Sequence, residues 1–589
     1  MNSLELGVIG NQTIAALIDE QACINWMCLP RLDGEPVFNS LLGGCGDFTI
    51  ELEGFRSCRQ EYVRNTAILN TFLEAEDGSM VKITDFAPRF EDRGRMFRPA
   101  SIVRYIEPIR GMPRIRVAIS AEAECGKREL MPKRGVSHLS YPDEEFGFRI
   151  TTSAPISYIL NKQYFVLDQG YGFVLGPDEP FVGDVNTISH DWHVRTLEHW
   201  QKWSRRLAIP PEWQEAVIRA AITLTLCVYE ETGGIVAALT TSIPEHEGSE
   251  RNWDYRYCWL RDSYFTVTAL NRLSAVGTLE RYLTYLRNTV AMTNGGHIQP
   301  VFGVALETDL TEKIPGHLPG YRGMGPVRFG NQAAEHIQHD VYGHVILGAS
   351  QAFFDERLTA KAGPLEFEQF EKVGHRAFEV YDTPDAGIWE FRERSNVHTS
   401  SAIMCWAACD RLSRIAGELG MPDRVEFWKE RAEIIKDAIM TEAWSDSRQA
   451  FTETFGGESL DASVLLMAEI GFIDAMDPRY IATVERVDEE LREGDHVYRY
   501  RTADDFGTPE TAFTACTFWH IDALARIGRK DEARRMFENL LAQRTRLGLL
   551  SEDVHTGTNE LWGNFPQTYS MVGIINAAAR LSRSWEETV

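Results

Sequence analysis

The hydrophobic pattern changes once along the chain, and this change constrains the fold more than any other feature. From residue 1 to about residue 190, apolar or β-branched runs such as Phe48 to Leu52 and Ser101 to Ile106 are separated by turn residues. This pattern is typical of short β-strands. Asp77-Gly78 lies between two alternating segments and predicts a hairpin. Many short strands with such turns predict a β-sandwich.

The second part of the chain begins after Pro210-Pro211, a pair that cannot continue a helix. We therefore place a β-sandwich domain at residues 1–195, a helical linker at 196–211 and a helical domain at 212–589. Helical spacing predicts about twelve helices, which begin near residues 212, 261, 277, 332, 365, 398, 422, 459, 477, 508, 529 and 567. Antiparallel helix pairs in an even number can close into a toroid.

Charge and composition exclude several classes of function. The net charge of -26 and the scattered basic residues argue against nucleic acid as a partner. No apolar run is long enough for a membrane span. The first basic residue is Arg31, so a secretory signal is not expected and we predict a cytoplasmic protein. Ten cysteines without paired C-x-x-C motifs predict reduced thiols, and no feature indicates the oligomeric state.

Two clusters of polar and aromatic residues precede predicted helices. The segment from Arg251 to Phe265 combines four aromatic rings with Asp and Arg side chains, which suits the faces and hydroxyls of a sugar. A capped helix with buried aromatics explains it equally well. Farther along, His336 and His339 share a helical face, but no third ligand is evident. We therefore predict no metal.

Two further segments offer carboxylates for acid and base chemistry. Glu390 directly follows Trp389, and an adjoining indole raises the pKa of a carboxyl group by desolvating its charged form. A surface glutamate in a turn is the alternative. In the last segment Glu552, Asp553 and Glu560 are all candidates for a base that activates water, and spacing alone does not choose among them.

Four ordered blocks resemble glycoside hydrolase family 15, the family of glucoamylases, glucodextranases and bacterial trehalases. The blocks are RNWDYRYCWLRDS, GPVRFGNQAA, GIWEFR and GNFPQTYSMVGIINAA, and the first forty residues resemble the β-domain of its bacterial members. The resemblance implies an (α/α)6 barrel, hydrolysis with inversion to release β-glucose, and no organic cofactor. The expected partner is a small-molecule carbohydrate.

The resemblance also implies roles for particular residues. Glu390 matches the general acid and Glu552 the general base, while Arg261 and Asp262 match the pair that binds the hydroxyls of a terminal glucose. Trp259 and Trp389 belong to the same motifs and are expected to contact substrate. A further substrate-binding arginine is expected at Arg501, with Arg499 as the alternative.

Three substitutions beside the expected base affect specificity more than catalysis. Asp553 follows Glu552 where other members often carry Glu or Gln, and Tyr569 and Met571 replace the usual Phe and His. The main expectation is an exo-acting α-glucosidase that acts on α-gluco-oligosaccharides. The alternatives are an α,α-trehalase and a catalytically silent sugar-binding regulator.

Overall fold

Two antiparallel sheets form the N-terminal domain of the computed structural model, which describes residues 3–180, 182–293 and 295–588. Its strands are β1 (Gly7–Gly10), β2 (Ala15–Ile18), β3 (Ile24–Leu29), β4 (Glu35–Phe38), β5 (Asp47–Leu52), β6 (Phe55–Tyr62), β7 (Leu69–Ala75), β8 (Met80–Phe86), β9 (Phe90–Asp92), β10 (Arg95–Phe97), β11 (Ile102–Arg110), β12 (Arg114–Ser120), β13 (Glu122–Ala123), β14 (Arg128–Glu129), β15 (Lys133–Arg134), β16 (His138–Tyr141), β17 (Phe148–Thr152), β18 (Phe165–Val166) and β19 (Tyr171–Pro177).

The two sheets pack face to face around one core, as the predicted β-sandwich requires. The first sheet has the strand order β1-β2-β3-β5-β12-β18, with β4 paired to β3, and the second has the order β15-β16-β17-β19-β11-β8-β7-β6. Alternate residues of β5, such as Phe48 and Ile50, point into the core, where they meet Leu73 and Val81 of the second sheet. Period-two alternation thus places one apolar face of each sheet inside.

The hairpin predicted at Asp77-Gly78 joins β7 to β8. Gly78 has a φ of 83°, a left-handed conformation that costs glycine little. Asp77 supports the turn through its side chain, because its Oδ1 accepts a hydrogen bond of 2.8 Å from the backbone N–H of Ser79. The alternating pattern therefore predicted this element correctly.

The helix that leaves the β-domain begins earlier than predicted. Helix α1 (Ile156–Leu160) lies within the β-domain, and α2 covers Val185–Ser204, so its first half falls in the range assigned to strands. Asp184 caps α2, since its Oδ2 accepts a hydrogen bond of 2.8 Å from the N–H of Thr187. This cap, rather than the later apolar residues, sets the start of the helix.

Among its described residues the second domain contains twelve helices, and a four-residue helix follows them. They are α3 (Gln214–Leu226), α4 (Leu260–Arg272), α5 (Val276–Thr293), α6 (Asp340–Phe354), α7 (Pro364–Val380), α8 (Thr399–Glu418), α9 (Pro422–Glu442), α10 (Leu466–Ile470), α11 (Pro478–Glu490), α12 (Thr514–Arg526), α13 (Lys530–Ala542), α14 (Thr568–Leu581) and α15 (Trp585–Thr588). The helices expected near residues 332 and 459 begin later, after 3-10 turns at Gln332–Glu335 and Ala462–Leu465. The helix expected near residue 508 also begins later, after an irregular segment.

The even-numbered helices from α4 to α14 form a closed inner ring. Each packs against the next, through the turn at Ala462–Leu465 in the case of α8 and α10, and α14 packs back against α4. The odd-numbered helices from α3 to α13 lie outside, and α13 shows why: it buries only one stripe, which includes Met536 and Phe537. The domain is therefore an (α/α)6 barrel.

The β-domain packs against the barrel beside the aromatic segment that precedes α4. Trp26 Nε1 donates a hydrogen bond of 2.8 Å to the carbonyl of Leu239, and Arg256 donates one of 2.7 Å to the carbonyl of Gly34. Buried polar contacts of this kind fix the position of the aromatic segment. None of the described helices combines the length and apolar character needed to cross a membrane.

Candidate active site

The segments that lead into the inner helices meet at one cavity, which has an empty volume of about 880 Å³. Most of its wall is aromatic or charged, and the lining residues include Glu245, Arg251, Trp253, Tyr255, Trp259, Arg261, Asp262, Asn331, His336, Trp389, Glu390, Arg392, Arg499, Asp504, Asp505, Phe506, Phe513, Glu552, Gln567 and Tyr569.

Glu390 lies on one side of the cavity, in a turn before α8 where its own φ is 63°. Its side chain is 20% exposed, and its Oε1 accepts two hydrogen bonds. Trp259 Nε1 donates one at 2.6 Å and Arg261 donates the other at 3.1 Å. Both donors contact the same oxygen and fix the position of the carboxyl group.

Glu552 is buried on the other side, before α14. The hydroxyl of Tyr255 donates a hydrogen bond of 2.7 Å to its Oε1. Its Oε2 is buried and has no hydrogen-bond partner in the part of the chain that the structure describes. Burial and the nearby charge of Glu245 raise the pKa of Glu552 to about 8, although Tyr255 and Arg499 act in the opposite direction.

Two packed aromatic rings connect the glutamates. Tyr255, bonded to Glu552, and Trp259, bonded to Glu390, have ring centroids 5.4 Å apart at an angle of 71°. This edge-to-face contact is a favourable arrangement. Glu390 and Glu552 therefore line the same cavity and are linked through these two rings, while their catalytic roles stay a prediction.

Arg261 and Asp262 begin the inner helix α4 and lie on the floor of the cavity. Arg261 is surrounded by carboxylates besides Glu390, since Asp340 lies 3.5 Å and Asp262 3.7 Å from its nitrogens. Burial raises the pKa of Asp262 to about 7, although Arg261 opposes this shift. These groups can direct hydrogen bonds to adjacent hydroxyls of a sugar.

Trp389 lines the same cavity next to Glu390. Its Nε1 donates a hydrogen bond of 2.6 Å to Asp461, just before the turn that leads into α10, and its ring lies 5.4 Å from that of Phe513. The indole is thus fixed in place. Of the catalytic and substrate-binding residues that the family resemblance implies, all except Arg501 line this cavity.

The expectation for Arg501 is wrong, because its side chain points away from the cavity. Arg501 is 39% exposed, pairs with the exposed Glu493 at 3.0 Å and stacks on Tyr498. Arg499 instead lines the cavity and donates a hydrogen bond of 2.6 Å to the buried Glu245. A buried guanidinium needs a buried partner, and only Arg499 has one.

Glu245 is the cavity residue that sequence reasoning missed. It lies in the loop SIPEHEGSE, which shows no periodicity or recognisable motif. Its two oxygens accept hydrogen bonds from Trp253 Nε1 at 3.1 Å and from Arg499 at 2.6 Å. Burial raises the pKa of Glu245, but Arg499 and Arg251 outweigh burial and lower the pKa overall. Glu245 is therefore a buried carboxylate.

Three carboxylates could in principle hold a cation. Ligand atoms of Glu245, Glu552 and Asp553 lie within 4.8 Å of one another. Arg499 contacts Glu245, and Arg251 lies 3.9 Å from it, so two guanidinium groups already supply positive charge beside this cluster. The cluster does not include His336 or His339. The absence of a metal stays a prediction.

A barrel whose cavity is lined by carboxylates, tryptophans and arginines suits an enzyme that acts on carbohydrates. The profile described as "Glycosyl hydrolases family 15" matches residues 212–579, and that described as "Trehalase-like, N-terminal" matches residues 4–129. The chain belongs to glycoside hydrolase family 15. The alternative of a catalytically silent regulator is therefore not supported.

Similar proteins span the whole chain. It is 35% identical to the trehalase of Mycobacterium tuberculosis over 97% of this chain and 88% of that protein. It is 30% identical to the trehalase of Mycolicibacterium smegmatis over 99% of this chain and 92% of that protein. A bacterial glucoamylase complexed with acarbose shares the fold, with a TM-score of 0.71 and 13% identity over 99% of this chain and 95% of that one.

Proposed function

We propose that the protein is an inverting α,α-trehalase, which hydrolyses trehalose to two molecules of glucose. The observation that supports this substrate most strongly is the full-length similarity to several proteins named trehalase, at 28% to 35% identity. The sequence alone favoured α-gluco-oligosaccharides as the substrate, with trehalose as the alternative. The relatives favour the second, because their similarity includes the β-domain as well as the barrel.

Glu390 is the proposed general acid and Glu552 the proposed general base. Glu390 gives a proton to the glycosidic oxygen while Glu552 takes one from a water that attacks the anomeric carbon from the opposite face. The attacked ring leaves as β-glucose, and the other ring keeps its configuration and leaves as α-glucose. Both donors to Glu390 contact Oε1, so Oε2 is the oxygen that would carry the transferable proton.

The surroundings of Glu552, taken alone, favour the opposite assignment. Burial and the charge of Glu245 raise the pKa of Glu552 to about 8, which favours the protonated form that an acid needs. We base the roles on the motif match and on the Oε2 of Glu552, a buried acceptor without a partner in the described chain, which suits a water. This assignment predicts that activity rises with pH as Glu552 loses its proton.

Substrate contacts follow from the same geometry. Arg261 and Asp262 are proposed to bind hydroxyls of the ring that is attacked, because both line the cavity and Arg261 contacts Glu390 at 3.1 Å. Trp259 and Trp389 are proposed to cover its apolar face, and Arg499 takes the place expected for Arg501.

Proton NMR of the purified protein with trehalose, maltose, isomaltose and maltotriose tests the proposal. We expect trehalose to be hydrolysed fastest, with equal amounts of α- and β-glucose at the earliest time points. Release of α-glucose alone from trehalose would contradict inversion, and a preference for maltotriose would contradict the substrate.

A further inference from the structure

A short loop crosses the mouth of the cavity, and we call residues 504–507 the mouth loop. It forms a tight turn in which Asp504 and Gly507 exchange backbone hydrogen bonds of 3.0 and 3.1 Å. Both terminal nitrogens of Arg251 donate to the carboxylate of Asp504, and one of them also donates to the carbonyl of Gly507 at 2.7 Å. This side of the loop is therefore fixed to the segment that leads to α4.

The other side of the mouth loop is fixed next to the proposed acid. Asp505 Oδ2 accepts hydrogen bonds from the backbone N–H of Arg392 at 2.6 Å and of Glu393 at 3.1 Å. These residues follow Glu390 by two and three positions. The loop thus lines the cavity and connects the segment before α4 to the segment that follows Glu390.

Phe506, at the centre of the mouth loop, presents its ring to the cavity. Its centroid lies 5.2 Å from that of Trp253 in an edge-to-face contact. The guanidinium groups of Arg251 and Arg392 lie 5.5 and 5.8 Å from the Phe506 ring, and Arg392 also lies 4.6 Å from the Trp253 ring. These contacts hold both aromatic rings in place.

Trp253 is also held by a hydrogen bond, since its Nε1 donates to the Glu245 carboxylate at 3.1 Å. The Arg251 and Asp504 side chains are each only 4% exposed, so opening the loop would separate a buried ion pair. The outer wall of the cavity is therefore rigid, and a longer saccharide cannot displace it without breaking these contacts.

From this arrangement we propose that Phe506 and Trp253 limit the leaving group to one sugar ring. The enzyme then accepts the disaccharide and rejects the same α,α-1,1 bond when the leaving ring carries a further sugar. This inference rests on the proposed function, and it names the determinant of substrate length in that site.

The test compares trehalose with the trisaccharide in which one ring of trehalose carries an additional α-1,4-linked glucose. Cleavage of the 1,1 bond in this trisaccharide releases maltose and glucose, whereas cleavage of the 1,4 bond releases trehalose and glucose. The products therefore report which bond was cut. For the wild type we expect kcat/KM for the 1,1 bond to be at least about 100-fold higher with trehalose.

Phe506→Ala should reduce this preference at least tenfold, because it removes the ring that blocks the second sugar. Phe506→Tyr keeps the ring and is the matched control, so its preference should stay within about threefold of the wild type. Asp505→Ala, which frees the side of the loop next to Glu390, should shift the preference in the same direction as Phe506→Ala. The Asp505→Ala variant tests the inference if Phe506→Ala does not fold.

The outcomes separate this inference from the proposed function. A wild type that cleaves the 1,1 bond of both substrates equally well would overturn the inference and leave the trehalase proposal intact. An unchanged preference in both Phe506→Ala and Asp505→Ala would do the same. A wild type that cleaves no α-glucoside would overturn the proposed function, and the inference with it.

Discussion

The two glutamates of the cavity, Glu390 and Glu552, lie in different surroundings. Glu390 is partly exposed and accepts hydrogen bonds from an indole and a guanidinium group, whereas Glu552 is buried beside two further carboxylates. Burial and the charge of Glu245 raise the pKa of Glu552. One cavity therefore holds two glutamates in different environments, which is a way to divide acid and base roles between them.

The largest expected effect is the loss of either glutamate. Glu390→Gln and Glu552→Gln should each lower kcat for trehalose by about 100-fold to 10,000-fold, since each removes one proton transfer. Glu560→Gln is the matched control, because Glu560 lies outside the cavity and pairs with Arg322 at 2.7 Å. Its kcat should stay within about threefold of the wild type. Near-normal turnover in either of the first two variants would remove that glutamate from the mechanism.

The next effect concerns the arginine on the Glu552 side. Arg499→Ala leaves Glu245 buried without its closest cation, so we expect the free energy of unfolding to fall by about 3 to 5 kcal/mol. Arg501→Ala removes only a surface pair and should cost less than about 1 kcal/mol. Urea denaturation of both variants measures the difference. Equal losses would mean that burial does not distinguish the two arginines.

The smallest effect is a change in the pH profile. As a base, Glu552 must be ionised, so kcat/KM should fall as the pH drops below the pKa of about 8. Tyr255→Phe removes a hydrogen bond that lowers this pKa, and it should move the acidic limb of the profile to higher pH. Glu245→Gln removes a negative charge that raises the pKa, and it should move the limb to lower pH.

These two variants also show whether the roles are reversed. If Glu552 were the acid, the same shifts would occur on the basic limb, where activity is lost on deprotonation. Circular dichroism melting curves serve as the control, because a folding defect would lower activity at every pH without moving either limb.

Much of the fold could be predicted because its signals are local. The alternation in β5, the glycine at position 78 and the spacing of apolar residues in α13 each depend on a few neighbouring residues. The predicted start of α2 was wrong, because a single capping residue, Asp184, sets where this helix begins. A 3-10 turn at Gln332–Glu335 precedes α6, so this helix begins at Asp340 and not near residue 332.

The site was predictable only as far as its motifs extend. Glu390, Glu552 and the Arg261-Asp262 pair lie in recognisable blocks, whereas Glu245 lies in a loop without any pattern. Arg499 and Arg501 are equivalent in sequence, and their different burial depends on Glu245, which is 254 positions from Arg499. The contact between Tyr255 and Glu552 spans 297 positions. Such pairings arise only when the barrel closes.

The division of roles between the glutamates can be measured with α-glucosyl fluoride, whose leaving group needs no proton from an acid. We expect Glu390→Gln to hydrolyse this substrate within about tenfold of the wild-type rate. The rate of Glu552→Gln should fall at least about 100-fold, because the attacking water still requires a base. If Glu552→Gln is active and Glu390→Gln is inactive, the assignment of acid and base is wrong.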